Sequence, residues 1–162
     1  MSAELPIPID VKQVHRTAID DVNRWRGHCV ELFARVEQEL ASALAALNAG
    51  KIPPALAARM ARLDEIVAPA GPSPNAKLEK TLTQLAPLAE HRNLVVHARS
   101  SVWVNDRSKW LWAYVFTPSG KGSCEQVGHW TEDEALKFKD ELSRTAQSLC
   151  SQLRTLTEKR IT

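Results

Sequence analysis

Apolar side chains recur at Val22, Trp25, Cys29, Phe33, Val36, Leu40, Leu44 and Leu47. Intervals of three and four residues keep such positions on one side of a helix. The pattern therefore predicts a long helix over residues 14–49, with one stripe turned to a core and Gly50 as its stop. The Pro-spaced first dozen residues are expected to run extended along the surface or a partner. Pro53 and Pro54 open a second helix, over 53–68, with Leu56, Met60, Leu63 and Val67 on one face. Pro69, Gly71 and Pro72 form a loop. Ser73 is placed to cap a third helix, over 74–100, with Pro74 at its first position. Pro87 lies inside that helix, where it deletes a backbone hydrogen bond. The expectation is one kinked rod; the alternative is two helices that meet there.

After Ser101 the periodicity changes. Val102-Trp103-Val104, the Asn105-Asp106 turn and Trp110 to Phe116 have the composition of strands. A second turn is expected over Thr117 to Gly122, and a weaker strand over Ser123 to Trp130. Together they predict a two- or three-stranded hairpin over about 101–130. Thr131-Glu132-Asp133-Glu134 is a capping box, and its acidic turn suits the positive end of a helix. Behind it, Ala135, Phe138, Leu142, Leu149, Leu153 and Leu156 form the stripe of a last helix over 131–159, with Lys159 and Arg160 at its negative end. Four helices with short or moderate connections predict a mainly all-α single domain, an antiparallel four-helix bundle with a small β-hairpin before the last helix.

Composition narrows the function classes. The 162 residues suffice for one domain with a real core. The formal net charge is only +2, so any nucleic-acid contact must come from a local patch or from two chains pooling charge. Cys29, Cys124 and Cys150 are widely spaced and form no CxxC pair, which indicates neither a zinc site nor a disulfide framework. His15, His28, His91, His97 and His129 have no acidic partner at a ligand spacing, so no metal or other cofactor is expected. No Gly-rich phosphate loop follows a strand, and no serine sits in a nucleophile elbow. The first residues lack the basic and apolar regions of a signal peptide, and no apolar run approaches the roughly 20 residues of a membrane span. A cytoplasmic protein without membrane contact is the expectation.

The chemistry concentrates in Glu90-His91-Arg92-Asn93-Leu94-Val95-Val96-His97-Ala98-Arg99. On a helix, Asn93 and His97, four apart, lie nearly over one another. Arg92 is about 100° to the side, with a side chain long enough to swing toward the same cleft. Leu94, Val95 and Val96 supply an apolar anchor. A permanent guanidinium beside an imidazole that titrates near neutral pH suits a phosphodiester. On spacing alone, the plainer reading is an Arg-Asn pair that ties helix ends together beside a structural histidine. His91 is taken as a solvated flank, and Glu90 either pairs with Arg92 or acts at substrate.

Arg92-Asn93, three further residues and His97 resemble the R-x4-6-H signature of the HEPN superfamily, small helical-bundle domains of which many are metal-independent ribonucleases. Asn93 holds the polar position after the Arg, and Glu90 the acidic flank; Ala98 stands where Gly is common. The resemblance covers the motif helix strongly and the other helices by pattern. It implies attack of an RNA 2′-hydroxyl on the adjacent phosphate, with His97 moving the proton. Arg92 would neutralise phosphoryl charge, and Asn93 would hold the ring or the phosphate. It also implies a homodimer that supplies a second His, and a role as toxin or defence effector with an antitoxin or other protein partner. The alternative is a non-catalytic HEPN-like module that binds a partner protein or nucleic acid in the same cleft.

Two further patterns bear on RNA. Trp110, Trp112, Tyr114 and Phe116 alternate and share one strand face, which is expected to pack on the helices rather than stack on bases. Arg99, Arg107, Lys109 and Lys121 lie close in sequence and are candidates for a modest basic rim beside Glu90, with ordinary solvated surface as the alternative.

Overall fold

A computed structural model of the chain describes residues 10–67, 75–118 and 124–161, the last three as backbone only. The N-terminal Pro-spaced run, the Ser73 cap with Pro74, most of the second turn with Lys121, and the Lys159 and Arg160 side chains lie outside the described residues. The structure is mainly helical with a small antiparallel sheet ahead of the last helix. Among the described residues no helix is long and apolar enough to cross a membrane.

Helix α1 (Val11–Ala46) opens at Asp10, whose carboxylate accepts from the backbone N–H of Lys12 and Gln13. This cap starts the helix three residues before the stripe predicted it. All eight predicted stripe residues are buried. The helix ends before Gly50: Asn48 already takes a left-handed φ of 54°, and Gly50 follows at 75°. Asn tolerates that conformation because its short amide bonds locally. Helix α2 (Leu56–Val67) buries Leu56, Met60, Leu63 and Val67, as their spacing predicted. Arg59 fixes its approach to α1 by donating to the carbonyls of Pro53 and Glu37, 2.7 Å each.

The predicted third helix is two helices and the start of a strand. Helix α3 (Ala76–Glu90) contains Pro87 and buries Leu78, Leu82, Leu85 and Leu88. Helix α4 (Arg92–His97) follows after a break at His91. Strand β1 (Arg99–Val104) then begins inside the residues expected to be helical. The kinked single rod is therefore incorrect, and the two-helix alternative is what the chain adopts.

Strands β2 (Trp110–Phe116) and β3 (Gln126–Thr131) complete a sheet of order β1-β2-β3. Trp112 pairs with Val102 on one side and with Trp130 on the other. The alternating aromatic face packs inward, as expected: Trp110 and Trp112 are buried, and Tyr114 and Phe116 are half-buried against the same core. Trp25 of α1 meets Trp112 and Trp130 at ring-centroid distances of 5.2 and 5.5 Å, within the range of favourable aromatic contact. Its indole N–H donates to the Ala135 carbonyl at 2.8 Å.

Helix α5 (Glu132–Ile161) starts from the predicted box. Thr131 N–H and hydroxyl both donate to Glu134 Oε2, and Glu134 N–H donates back to Thr131 Oγ1. Ala135, Phe138, Leu142, Leu149 and Leu153 are buried, and Leu156 partly so. Helix α5 packs along α1 and α3, and α2 closes the core from the other side of both. A buried polar tie joins α3 to α5, where Gln152 donates to Thr81 Oγ1 at 3.0 Å.

Candidate active site

The break at His91 begins with Pro87. In an unbroken helix the His91 N–H would bond the Pro87 carbonyl. Here that N–H bonds Leu88, three residues back, at 3.1 Å. The freed Pro87 carbonyl instead accepts from His91 Nδ1 at 3.0 Å. The ladder resumes when the Val95 N–H reaches the His91 carbonyl at 2.9 Å. The six residues from Arg92 to His97 thus form a separate turn and a half after α3.

Two contacts hold that short helix. Leu94 and Val95 are buried and anchor one side. From α1, Arg26 reaches across 69 residues of sequence to its C-terminal end. Its guanidinium donates to the carbonyls of Val95 (3.0 Å), Ala98 (3.4 Å) and Val96 (3.5 Å), and to Ser100 Oγ (3.2 Å). It also lies over the Trp112 ring, 5.4 Å from the centroid. A cation here satisfies the unpaired last carbonyls of a helix. Burial lowers its pKa, since the charged form loses water.

Asn93 and His97 emerge exposed on one face of α4. They form part of one wall of a groove of about 590 Å³, with Glu90, His91 and Leu94. The facing wall is made by Tyr114, Phe116 and Gln126 of the sheet, with Thr117 and Pro118. Tyr114 lies across its cross-strand partner Gly128. A methyl group on Gly128 would sit 2.6 Å from the Tyr114 hydroxyl, so only glycine leaves the ring that place.

Arg92 does not line this groove. Its Nε donates to Glu37 Oε1 of α1 at 3.0 Å, with both side chains largely shielded from solvent. Its Nη1 donates to Asn93 Oδ1, also at 3.0 Å. The amide of Asn93 therefore stands between the guanidinium and the groove. Of the two alternatives for Glu90, the pair with Arg92 does not form: Arg92 takes Glu37 instead, and Glu90 belongs to the groove wall.

Among the described residues, the candidates for a basic rim do not come together. Arg99 pairs with Val115 at one end of the sheet, while Val104 pairs with Trp110 at the other, next to Lys109 and the Arg107 turn. Five residues of strand, about 17 Å, separate the two ends. Arg99 also faces Glu125 at 3.6 Å, and Lys109 donates to Asp133 at 2.5 Å, which raises the lysine pKa.

Sequence reading thus found Asn93, His97 and Glu90, which the fold brings to one groove. It missed Arg26, Glu37 and Gln126, and it assigned Tyr114 to packing on the helices. Arg26 leaves one faint signal, a cation beside Trp25 at the margin of the α1 stripe. A comparison with protein-family models, curated proteins and solved structures found no match to this chain.

Proposed function

We propose that the chain is a HEPN-like antiparallel four-helix bundle, active as a homodimer, that cleaves RNA without a metal at the α4 groove. One observation carries this reading: Asn93 and His97 stand exposed on one wall of an open groove, with Arg92 fixed directly behind the Asn93 amide. In the reaction an RNA 2′-oxygen bonds to the adjacent phosphorus and the 5′-oxygen leaves. The products are a 2′,3′-cyclic phosphate and a free 5′-hydroxyl. His97 carries a proton between solvent and one of these oxygens. Arg92 supplies positive potential to the phosphoryl oxygens through the polarised Asn93 amide, a form of fixed electrostatic stabilisation.

The ion pair between Arg92 and Glu37 favours a second reading, a binding module of the same fold. A guanidinium already paired with a carboxylate offers less to a transition state, and the groove would then hold a partner segment or nucleic acid without reacting.

Incubation of the purified protein with single-stranded RNA in EDTA separates the two. The expected result is cleavage to 2′,3′-cyclic phosphate ends, reduced about 10²- to 10⁴-fold by His97→Ala and about 10²-fold or more by Arg92→Ala. Cleavage that survives both substitutions removes this site. RNA retention without cleavage by the intact protein establishes the binding module.

A further inference from the structure

Transesterification of RNA moves two protons: one leaves the 2′-hydroxyl and one arrives at the departing 5′-oxygen. His97 serves one of these oxygens. The same groove contains a second imidazole, His91, whose surroundings differ from those of a solvated flank. A carbonyl only accepts, so the 3.0 Å contact to Pro87 places the proton on His91 Nδ1. In the neutral ring this leaves the lone pair on Nε2. The ring rests against two neighbouring aromatic rings, Trp130 at 5.3 Å and Phe138 at 5.6 Å, the latter edge-on. His91 precedes α4 and His97 ends it, so six residues, about 9 Å of helix rise, separate them along the axis. Both side chains line the same groove.

The geometry points to His91 as a second catalytic residue, acting in the same chain as His97. This inference rests on the ribonuclease reading above. His91 Nε2 takes the 2′-hydroxyl proton as the 2′-oxygen bonds to phosphorus. The bond from phosphorus to the 5′-oxygen breaks, and protonated His97 gives its proton to that oxygen. Each turnover leaves His91 charged and His97 neutral, and exchange with water restores both. The Pro87 carbonyl, freed by the end of α3, holds the base in its reactive tautomer, a role that backbone carbonyls serve for functional imidazoles generally. Among the described residues, the other titratable groups on the groove walls are Glu90 and Tyr114. Either could shape a pH profile, so the test includes a readout specific to leaving-group protonation.

His91→Phe keeps a ring against Trp130 and Phe138 and removes both nitrogens; His91→Gln serves as the second variant, and circular dichroism checks that each is folded. Two substrates are used: a single-stranded RNA, and uridine 3′-(4-nitrophenyl phosphate), whose leaving group needs no proton. The expected result on RNA is a loss of 10²- to 10⁴-fold for both His91 variants, with the acid limb of the pH–rate profile abolished. On the nitrophenyl ester, His97→Ala should recover most of the wild-type rate, whereas His91→Phe should remain slow. Folded His91 variants that cleave RNA at the wild-type rate, or equal recovery of both histidine variants on the ester, would overturn the assignment. No cleavage of either substrate by the intact protein removes the ribonuclease reading itself, and this inference with it.

Discussion

Arg26 is the residue on which the motif helix hangs. Its four donated hydrogen bonds end on groups contributed by Val95, Val96, Ala98 and Ser100. Truncating it would leave these acceptors without a charged donor in a partly buried setting. Arg26→Ala is expected to lower unfolding free energy by about 2–3 kcal/mol in a denaturant titration. Arg26→Lys should recover less than half, because an ammonium cannot spread over the same set of acceptors. Residues of this kind explain what the sequence could not reveal. The stripe partners of α1 follow from local spacing. Arg26 meets its acceptors 69 or more positions away, and Arg92 meets Glu37 across 55. No periodicity encodes those encounters.

Among the elements, the long helices were legible because each carries one strong stripe, joined in α5 by a readable capping box, whereas the Asp10 cap of α1 was not read. The α3–α4–β1 stretch was not legible. Leu94, Val95, Val96 and Ala98 suit a helix or a strand equally, and the choice is made by neighbours. Arg26 closes the helix end, and His15 donates to the Val102 carbonyl on the free edge of β1 at 3.0 Å. The capping box of α5 gives a pH prediction at this scale. Two hydrogen bonds from Thr131 hold the Glu134 carboxyl below its ordinary value of 4.5. A depressed folded pKa means that the contribution is present above the ordinary value. It is lost as pH falls through the depressed one. Thr131→Ala removes the hydroxyl's bond to that carboxylate and also the bond that the Glu134 N–H makes to Thr131 Oγ1. It should therefore lower the thermal midpoint more at neutral pH than in strong acid, where only the second, non-titrating loss remains, as followed by circular dichroism.

At the scale of the whole molecule, the succession of helices, sheet and last helix was readable, while the division of the third helix and the way the sheet joins the helices were not. Trp25, Trp112 and Trp130 come from three distant parts of the chain and share one cluster. Helices α1 and α5 pack side by side although most of the chain lies between them. A chain cut after Trp130 loses the α5 stripe and, with it, the partner surface of α1 and α3. The expected outcome is a species with little cooperative melting and few dispersed amide signals by NMR. A cooperative, native-like melt of the truncated chain would show that the remaining helices hold the core without α5.

This packing also has a temporal consequence. Phe138, one of the two rings that steady His91, belongs to α5. During synthesis the groove walls, which end at Gln126, leave the ribosome ahead of Phe138 and the rest of that helix. The nascent chain therefore carries an unfinished pocket, and whatever the groove performs begins only after translation has passed α5.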